Sequence, residues 1–378
     1  MSLVDSLKDI HLSILPQDPV KIDTFVFRLH YFWTVSFILV FSVLLSLSQY
    51  AGDPIDCIHD HNIPDDTFDR FCWVEGTWTR KLGFDAIGGQ MDKAFLRKDL
   101  NFVRCFDEST NSDGKPHEDC WQHQYYQWVA LVLVLQAGCF YFPRYLWQIW
   151  EQGKIQSLVS GLDRTSLIKG LQSKNELQKG EIKDKIQLMI QYWREAKGTN
   201  NLWAIKFYIC ELLCVLNVVA QFYFTNFFLN GQFAQVARQG LNLDENDSIL
   251  PILAECRLTT YGSGGQPQLT SGLCVLPLNI VNQKFYSLYW YWLSALLVVS
   301  ILALTLRILQ ITSHDMKKFV IVYFYRIKEF NDVILKRSNH GDWFLLIRLM
   351  DNMNDVVSSL FLDELEKIKP FEAYRADE

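Results

Sequence analysis

The sequence predicts an all-α membrane protein: a four-transmembrane-helix bundle subunit with disulfide-stapled extracellular loops of small β content and a helical cytoplasmic dome. Three observations predict this fold class. Apolar residues make up 49% of the 378-residue chain and charged residues only 21%, whereas an average soluble domain has about 25% charged residues. The apolar residues are concentrated in four windows that lack charge for longer than the roughly 20 residues of a bilayer crossing. Six of the nine cysteines lie outside these windows, in two long loops.

The first element is an N-terminal segment, residues 1–28, in which Ser2 and Asp5 have the spacing of a helix-capping pair. This pattern predicts an amphipathic helix whose apolar face packs on the first span. The alternative is a helix that lies on the membrane surface. The apolar face consists of residues that recur at helical spacing, namely Leu3, Leu7, Ile10 and Ile14.

Four spans follow from the charge-free windows, and polar loops lie between them. A core helix of a soluble protein rarely runs so long without a charge, so a large soluble helical protein is the disfavoured alternative. Glu211, in the first turns of the third span, is expected to snorkel to the membrane interface, and Arg307 is expected to anchor the end of the fourth. The predicted order is residues 29–49 (first span), 50–124 (first extracellular loop), 125–147 (second span), 148–203 (cytoplasmic loop), 204–229 (third span), 230–284 (second extracellular loop), 285–309 (fourth span) and 310–378 (cytoplasmic helical region).

Basic residues and cysteines independently predict the orientation. Lysines and arginines near the span ends are more numerous on the side of the two termini, which predicts cytoplasmic termini. The sequence alone does not determine which of the loop cysteines pair with each other. A zinc site that uses Cys57, His59 and His61 is a less favoured alternative to disulfides. The cysteines in the two opposite loops, where oxidising conditions allow disulfides to persist, are Cys57, Cys72, Cys105, Cys120, Cys256 and Cys274.

Charge and motifs argue against several classes of function. The net charge of −6 disfavours nucleic acid as a partner. The chain has no glycine-rich phosphate loop, metal-binding helix motif or nucleophile elbow, so we expect no enzyme activity, no cofactor and no metal site. An enzyme acting on lipid is disfavoured because the span ends lack a histidine and carboxylate constellation. The glycine-rich run from Gly262 to Gly265 lies in a loop and predicts a turn.

Four short motifs follow one another along the chain and resemble those of innexins, the invertebrate gap-junction proteins. The resemblance extends from about Phe27 to Arg307. Ala130 stands where the family usually has proline after the second-span motif, and the first extracellular loop has four cysteines where the family usually has two. The motifs are the second-span signature Tyr125, Tyr126, Gln127, Trp128 and Val129, the run GDPIDC at 52–57, the run FCW at 71–73 and the run CVLPLNIVN at 274–282.

The resemblance implies a subunit of a large-pore gap-junction channel that passes ions and small molecules between adjacent cells. Innexin subunits, identical or mixed, would form an octameric hemichannel in the lipid of the plasma membrane. Two hemichannels on neighbouring cells would then dock through their extracellular loops. The resemblance also implies that the N-terminal segment folds into the pore, so that its four apolar residues belong to the pore lining. The disulfides it implies are Cys57–Cys274 and Cys72–Cys256, which leaves Cys105 and Cys120 to each other.

Acidic residues directly after the first span, Asp53 and Asp56, are further pore-lining candidates. A ring of subunits would multiply each carboxylate into a belt of negative charge that favours cations. The alternative is that these residues cap loop turns or meet basic residues in solvent. His30 and His123 are each either a proton sensor or an anchor at the membrane border.

Two other functions remain as alternatives. Asn246, Asp247 and Ser248 form a glycosylation sequon, which makes Asn246 a candidate acceptor. A glycan on a docking face would obstruct contact between hemichannels, and the chain would then resemble an undocked pannexin-like channel that releases small molecules. The second alternative is a four-span adhesion protein without a pore.

Overall fold

The computed structural model describes residues 20–59, 63–80, 105–106, 120–159, 176–240, 250–325, 339–353 and 355–366. The predicted pore-lining residues Leu3, Leu7, Ile10 and Ile14 lie outside the described residues, and so does the candidate glycosylation site Asn246.

The described chain is mostly helical and contains one small sheet, as the fold-class prediction requires. The helices are α1 (Phe25–Ala51), α2 (Asp65–Glu75), α3 (Val129–Glu151), α4 (Lys154–Val159), α5 (Glu176–Glu195), α6 (Asn201–Phe228), α7 (Phe233–Gly240), α8 (Pro277–Thr312), α9 (His314–Phe324), α10 (His340–Met350) and α11 (Asp355–Glu366). The strands are β1 (Asp56–Ile58), β2 (Thr77–Arg80), β3 (Cys120–His123), β4 (Leu253–Tyr261) and β5 (Pro267–Val275).

Helices α1, α3, α6 and α8 are each long and apolar enough to cross a membrane. They coincide within a few residues with the predicted spans, except that α8 begins at Pro277, well before residue 285. Proline is favoured at the first helical position because its missing N–H would have no helical partner there. Only 17% of the most apolar stretch of α8 is buried. Such an all-round apolar surface is typical of a helix that contacts lipid.

Helix α1 begins at a side-chain cap and contains an irregular turn. The hydroxyl of Thr24 accepts a hydrogen bond from the Phe27 N–H at 3.2 Å, which satisfies one of the free donors of the first helical turn. The helix continues through a π-helical turn, Leu29–Thr34, before regular α-helix resumes at Val35.

The chain divides into two compact units. The terminal unit comprises residues 1–31, 141–215 and 299–378, and the sheet unit comprises residues 32–140 and 216–298. Each of the four long helices contributes residues to both units.

The sheet unit contains an antiparallel five-stranded sheet with the strand order β1-β5-β4-β2-β3. The turn between β4 and β5 is the predicted glycine-rich turn, since the Gly262 N–H donates to the Gln266 carbonyl at 2.9 Å. Helix α2 lies against the sheet through Phe68, which is fully buried. A Cβ atom at Gly272 would lie 2.5 Å from the Phe68 ring, so this close approach requires glycine.

The terminal unit is built around a cluster of buried aromatic residues. The Phe207 ring lies 4.9 Å from that of Trp147 and 5.1 Å from that of Phe344. Helix α10, which carries Phe344, is buried from Gly341 to Met350. Burial on all sides explains why α10 is apolar over most of its circumference although it is too short to span a membrane.

The snorkelling predicted for Glu211 was wrong, whereas the interface position of Arg307 stays a prediction. The guanidinium of Arg307 donates to the Glu211 carboxylate at 2.9 and 3.1 Å, and both side chains are largely buried. Arg307 also lies over the rings of Tyr208 and Phe344, each at 5.4 Å. A charge inside an apolar helix is tolerated when another helix supplies its partner, and the spacing within one helix cannot reveal that partner.

His123 on β3 is half-buried beside Thr79 on β2, and the two side chains form a hydrogen bond of 2.6 Å between Nε2 and the hydroxyl oxygen. Burial lowers the pKa of His123 from 6.5 to about 4. The unfolded chain therefore binds a proton between these two values while the folded chain does not. The free energy of unfolding consequently falls as pH decreases through this window.

We expect His123→Gln, which cannot take up a proton, to remove this acid sensitivity. Relative to the wild type, the variant should lose less stability between about pH 7.5 and about pH 5, by about 2 kcal/mol. Thermal unfolding of the purified protein at both pH values measures the difference. Thr79→Val, which keeps the histidine, is the control and should retain the wild-type pH dependence. Equal acid sensitivity of the wild type and His123→Gln would contradict the prediction.

Candidate functional site

The candidate functional site is the disulfide-bonded part of the sheet unit. Two disulfides join the loop after α1 to the β4–β5 hairpin, with sequence separations of 217 and 184 residues, and a third closes a separation of 15 residues. The three bridges are Cys57–Cys274, Cys72–Cys256 and Cys105–Cys120. These are the three pairs that the resemblance implies.

The two long-range bridges lie next to each other in the core of the sheet unit. Cys57 on β1 stands opposite Cys274 on β5 in the strand register, and Cys72 on α2 reaches Cys256 on β4. The sulfur atoms of Cys57, Cys72 and Cys274 lie within 4.8 Å of one another, and all three residues are buried. Each sulfur is part of a disulfide, so none is available as the thiolate that a zinc site requires.

The third disulfide attaches residues 105–106 to the sheet. The buried carboxylate of Glu255 on β4 accepts hydrogen bonds from the backbone N–H groups of Cys105 and Phe106. The Arg257 guanidinium lies 5.0 Å from the Phe106 ring centre. The cysteine pair that departs from the family pattern therefore belongs to a packed site, and its loop closure is worth about 3 kcal/mol in the chain-entropy model.

The second-span signature supplies donors to the end of helix α2. The last carbonyls of an α-helix have no partner within the helix. The Gln127 side-chain amide donates to the carbonyls of Trp73 and, at 3.1 Å, Val74. Gln122 and Gln124 donate to the Glu75 carbonyl at 2.8 and 2.7 Å. Three glutamines thus satisfy three of the terminal carbonyls of α2.

Aromatic residues of two motifs complete this junction. The ring of Tyr126, which is almost fully buried, lies 4.7 Å from the ring of Trp73 in the run FCW. The Gln49 amide near the end of α1 donates to the Tyr126 carbonyl at 3.0 Å. In the run CVLPLNIVN, the Asn279 amide donates to the Pro251 carbonyl at 2.7 Å. The motifs therefore hold α1, α2 and the β4–β5 hairpin in one arrangement.

Asp53 and Asp56 are both exposed; Asp53 precedes β1 and Asp56 is its first residue. Nearby, Asp69 accepts a hydrogen bond from the Cys57 N–H at 2.9 Å. Burial raises the pKa of Asp69, and the negative charges of Asp56 and Asp65 act in the same direction. The acidic surface next to the first disulfide is thus real, while the pore-lining role of Asp53 and Asp56 stays a prediction.

Sequence reasoning missed the roles of Gln122, Gln124 and Glu255. The spacing of the two glutamines contained a signal, because residues two apart in extended chain face the same side, and Gln124 follows the last residue of β3. Glu255 had no comparable signal, because its partners are backbone groups about 150 positions away along the chain.

We expect Gln127→Glu to destabilise the sheet unit. The substitution keeps the side-chain shape, removes the donor to Trp73 and Val74, and places a negative charge at the negative end of the α2 dipole. The expected loss is about 1–3 kcal/mol in the free energy of unfolding, measured by thermal unfolding without reductant. Gln266→Glu in the exposed turn between β4 and β5 is the matched control and should have little effect. Equal stability of Gln127→Glu and the control would show that the contacts of Gln127 with α2 contribute nothing.

Comparisons with known proteins identify the family of this chain. The innexin family model matches residues 23–368. Innexin shaking-B of Drosophila melanogaster is 36% identical over 349 residues, which is 89% of this chain and 88% of the relative. Innexin inx2 of Drosophila melanogaster is 33% identical over 94% of this chain and 93% of the relative. Innexin inx2 of Schistocerca americana is 34% identical over 94% and 95%. The chain therefore belongs to the innexin family, whose members form gap-junction channels.

Proposed function

We propose that this chain is a subunit of a large-pore channel that connects adjacent cells by docking of two hemichannels. The observation that carries the proposal is the pair of disulfides that join two distant loops to one five-stranded sheet. A docking face must keep its shape while it is exposed to the outside. Cross-linked loops in a sheet meet this requirement, because cross-links restrict the alternative states of the chain.

The membrane location is supported by the family and by the four apolar helices. We further propose that the sheet unit faces the extracellular space and that both termini are cytoplasmic. All three disulfides of the described residues belong to the sheet unit, and disulfides persist on the oxidising side of a membrane. The distribution of basic residues favours the same orientation.

Permeation through a wide pore requires no bond chemistry, so the relevant side chains are those that line or charge the path. In this proposal innexin subunits surround the pore as an octamer, the count that the resemblance implies. Leu3, Leu7, Ile10 and Ile14 line its cytoplasmic part, and the exposed Asp53 and Asp56 lie near its outer mouth.

An undocked channel that releases small molecules is the second candidate, and the sequon at Asn246 is the observation that favours it. A glycan at this position would oppose docking only if it lay on the face that meets the opposing hemichannel. A four-span adhesion protein without a pore is the third candidate.

Recordings from two apposed cells that both express the chain separate these functions. Docked channels should give junctional current and dye transfer, with Cys57→Ser/Cys274→Ser as a control that should lose both. Membrane current in single cells without junctional current would support the undocked channel. Surface expression with neither current would support the adhesion protein and contradict the proposal.

We expect Asp53→Asn/Asp56→Asn to reduce cation preference. Fewer carboxylates near the mouth weaken the local attraction of cations, so the reversal potential in a salt gradient should shift toward zero. The matched control is Asp66→Asn, which neutralises another exposed carboxylate of the sheet unit. An unchanged reversal potential in the double variant would place both residues outside the ion path.

A further inference from the structure

The segment Lys21–Thr24, which leads directly into α1, is held by side chains from the other end of the chain. The Lys21 N–H donates to the Asn352 Oδ1 at 2.6 Å, and the Asn352 Nδ2 donates to the Lys21 carbonyl at 2.9 Å. One asparagine amide therefore pairs with both backbone groups of Lys21, as a neighbouring β-strand would. The two residues are 331 positions apart in sequence.

A second contact comes from Arg348 on helix α10. Its Nη1 donates to the Asp23 carbonyl at 3.1 Å and lies 3.1 Å from the Asp351 carboxylate. Arg348 is only 6% exposed. Because Asn352 lies two residues after the end of α10 and also donates to the Arg348 carbonyl at 2.8 Å, the two side chains act from the same helix end.

Helix α3 holds the same segment from another direction. The Trp147 indole donates to the Ile22 carbonyl at 3.0 Å, and Arg144 lies 3.1 Å from the Asp23 carboxylate. The same carboxylate accepts hydrogen bonds from Arg28 and Tyr31 of α1, each at 2.8 Å. Every residue from Lys21 to Asp23 is thus hydrogen-bonded to α3, to the α10 end or to both.

The segment Lys21–Thr24 is attached to α1 and α3 by charged side chains, but to the α10 end by contacts with its backbone. The buried Asp23 carboxylate is matched by arginines of α1 and α3, whereas Asn352 and Arg348 bind only backbone groups of the segment. Contacts to backbone do not depend on the Lys21 side chain, which gives a control inside the site. Their loss would leave the Asp23 carboxylate paired and free only the side of the segment that faces α10.

We propose that Asn352 and Arg348 are positioning residues by which the C-terminal region fixes the start of the first membrane helix and thereby sets the open probability of the channel. The gating part of this inference rests on the proposed function. A contact that is stronger in one of two conformations increases the population of that conformation. The size of the shift depends on the difference between the free energies of the contact in the two conformations. The α10 end binds the segment by hydrogen bonds that can break singly, so it can favour one position of α1 over another.

The test compares Asn352→Ala with Asn339→Ala in the full-length protein. Both variants truncate an asparagine flanking α10, but only Asn352 contacts Lys21, and Asn339 caps the opposite end of the helix. Hydrogen–deuterium exchange of the purified protein reports on the Lys21 amide. Exchange should be about threefold to tenfold faster in Asn352→Ala and unchanged in Asn339→Ala and Lys21→Ala.

Single-channel recording in paired cells supplies the second measurement. Asn352→Ala should change the open probability at unchanged unit conductance and surface density, and Arg348→Gln should change it in the same direction. Asn339→Ala and Lys21→Ala should behave as the wild type.

Unchanged exchange in Asn352→Ala would overturn the proposal, as would faster exchange with a wild-type open probability. Equal changes of exchange rate and open probability in Asn352→Ala and Asn339→Ala would also overturn it. Such changes would result from a lower stability of α10 and not from the contact with Lys21. If the wild type carried no current, the proposed channel function would fail. Faster exchange confined to Asn352→Ala would then still support the positioning of the segment by α10.

Discussion

The covalent connection between two loops that lie far apart in sequence is the constraint on which the sheet unit depends. Cys57 and Cys72 come shortly after the first membrane helix, and their partners Cys274 and Cys256 come shortly before the fourth. Strands from both loops share one sheet because β1 and β5 are neighbours in register at the first bridge. The capping of α2 by glutamines and the approach of Phe68 to Gly272 both take place within this cross-linked frame.

The terminal unit is stabilised by a different principle. Its described residues contain no disulfide, and several charges are buried in it. Asp23 meets Arg28 and Arg144, and Glu211 meets Arg307. Removing one partner of such a pair leaves an uncompensated buried charge, which is strongly destabilising. The pairs therefore specify how α1, α3, α6 and α8 meet within this unit.

Features that local composition determines can be predicted from the sequence. The four apolar helices and the turn at Gly262 to Gly265 follow from charge-free length and from glycine content, and both were confirmed. The resemblance located the signature at Tyr125 to Val129, but the motif alone could not show that Gln127 binds carbonyls of α2. The pairing of Glu211 with Arg307 escaped prediction for the same reason: the partners belong to different helices, 96 positions apart.

The difference in bonding between the two units bears on where conformational change can occur. In the proposed extracellular orientation, the buried disulfides of the sheet unit would stay closed during channel activity. Hydrogen bonds to backbone carbonyls, such as those from Arg348 and Trp147, can break individually with a modest change in free energy. Local opening occurs preferentially where such contacts hold a segment near the end of a helix. The start of α1 is held by hydrogen bonds, ion pairs and the apolar packing of Ile22 and Phe27, without a disulfide among the described residues of its unit. It is therefore better suited to movement than the cross-linked strands of the sheet unit.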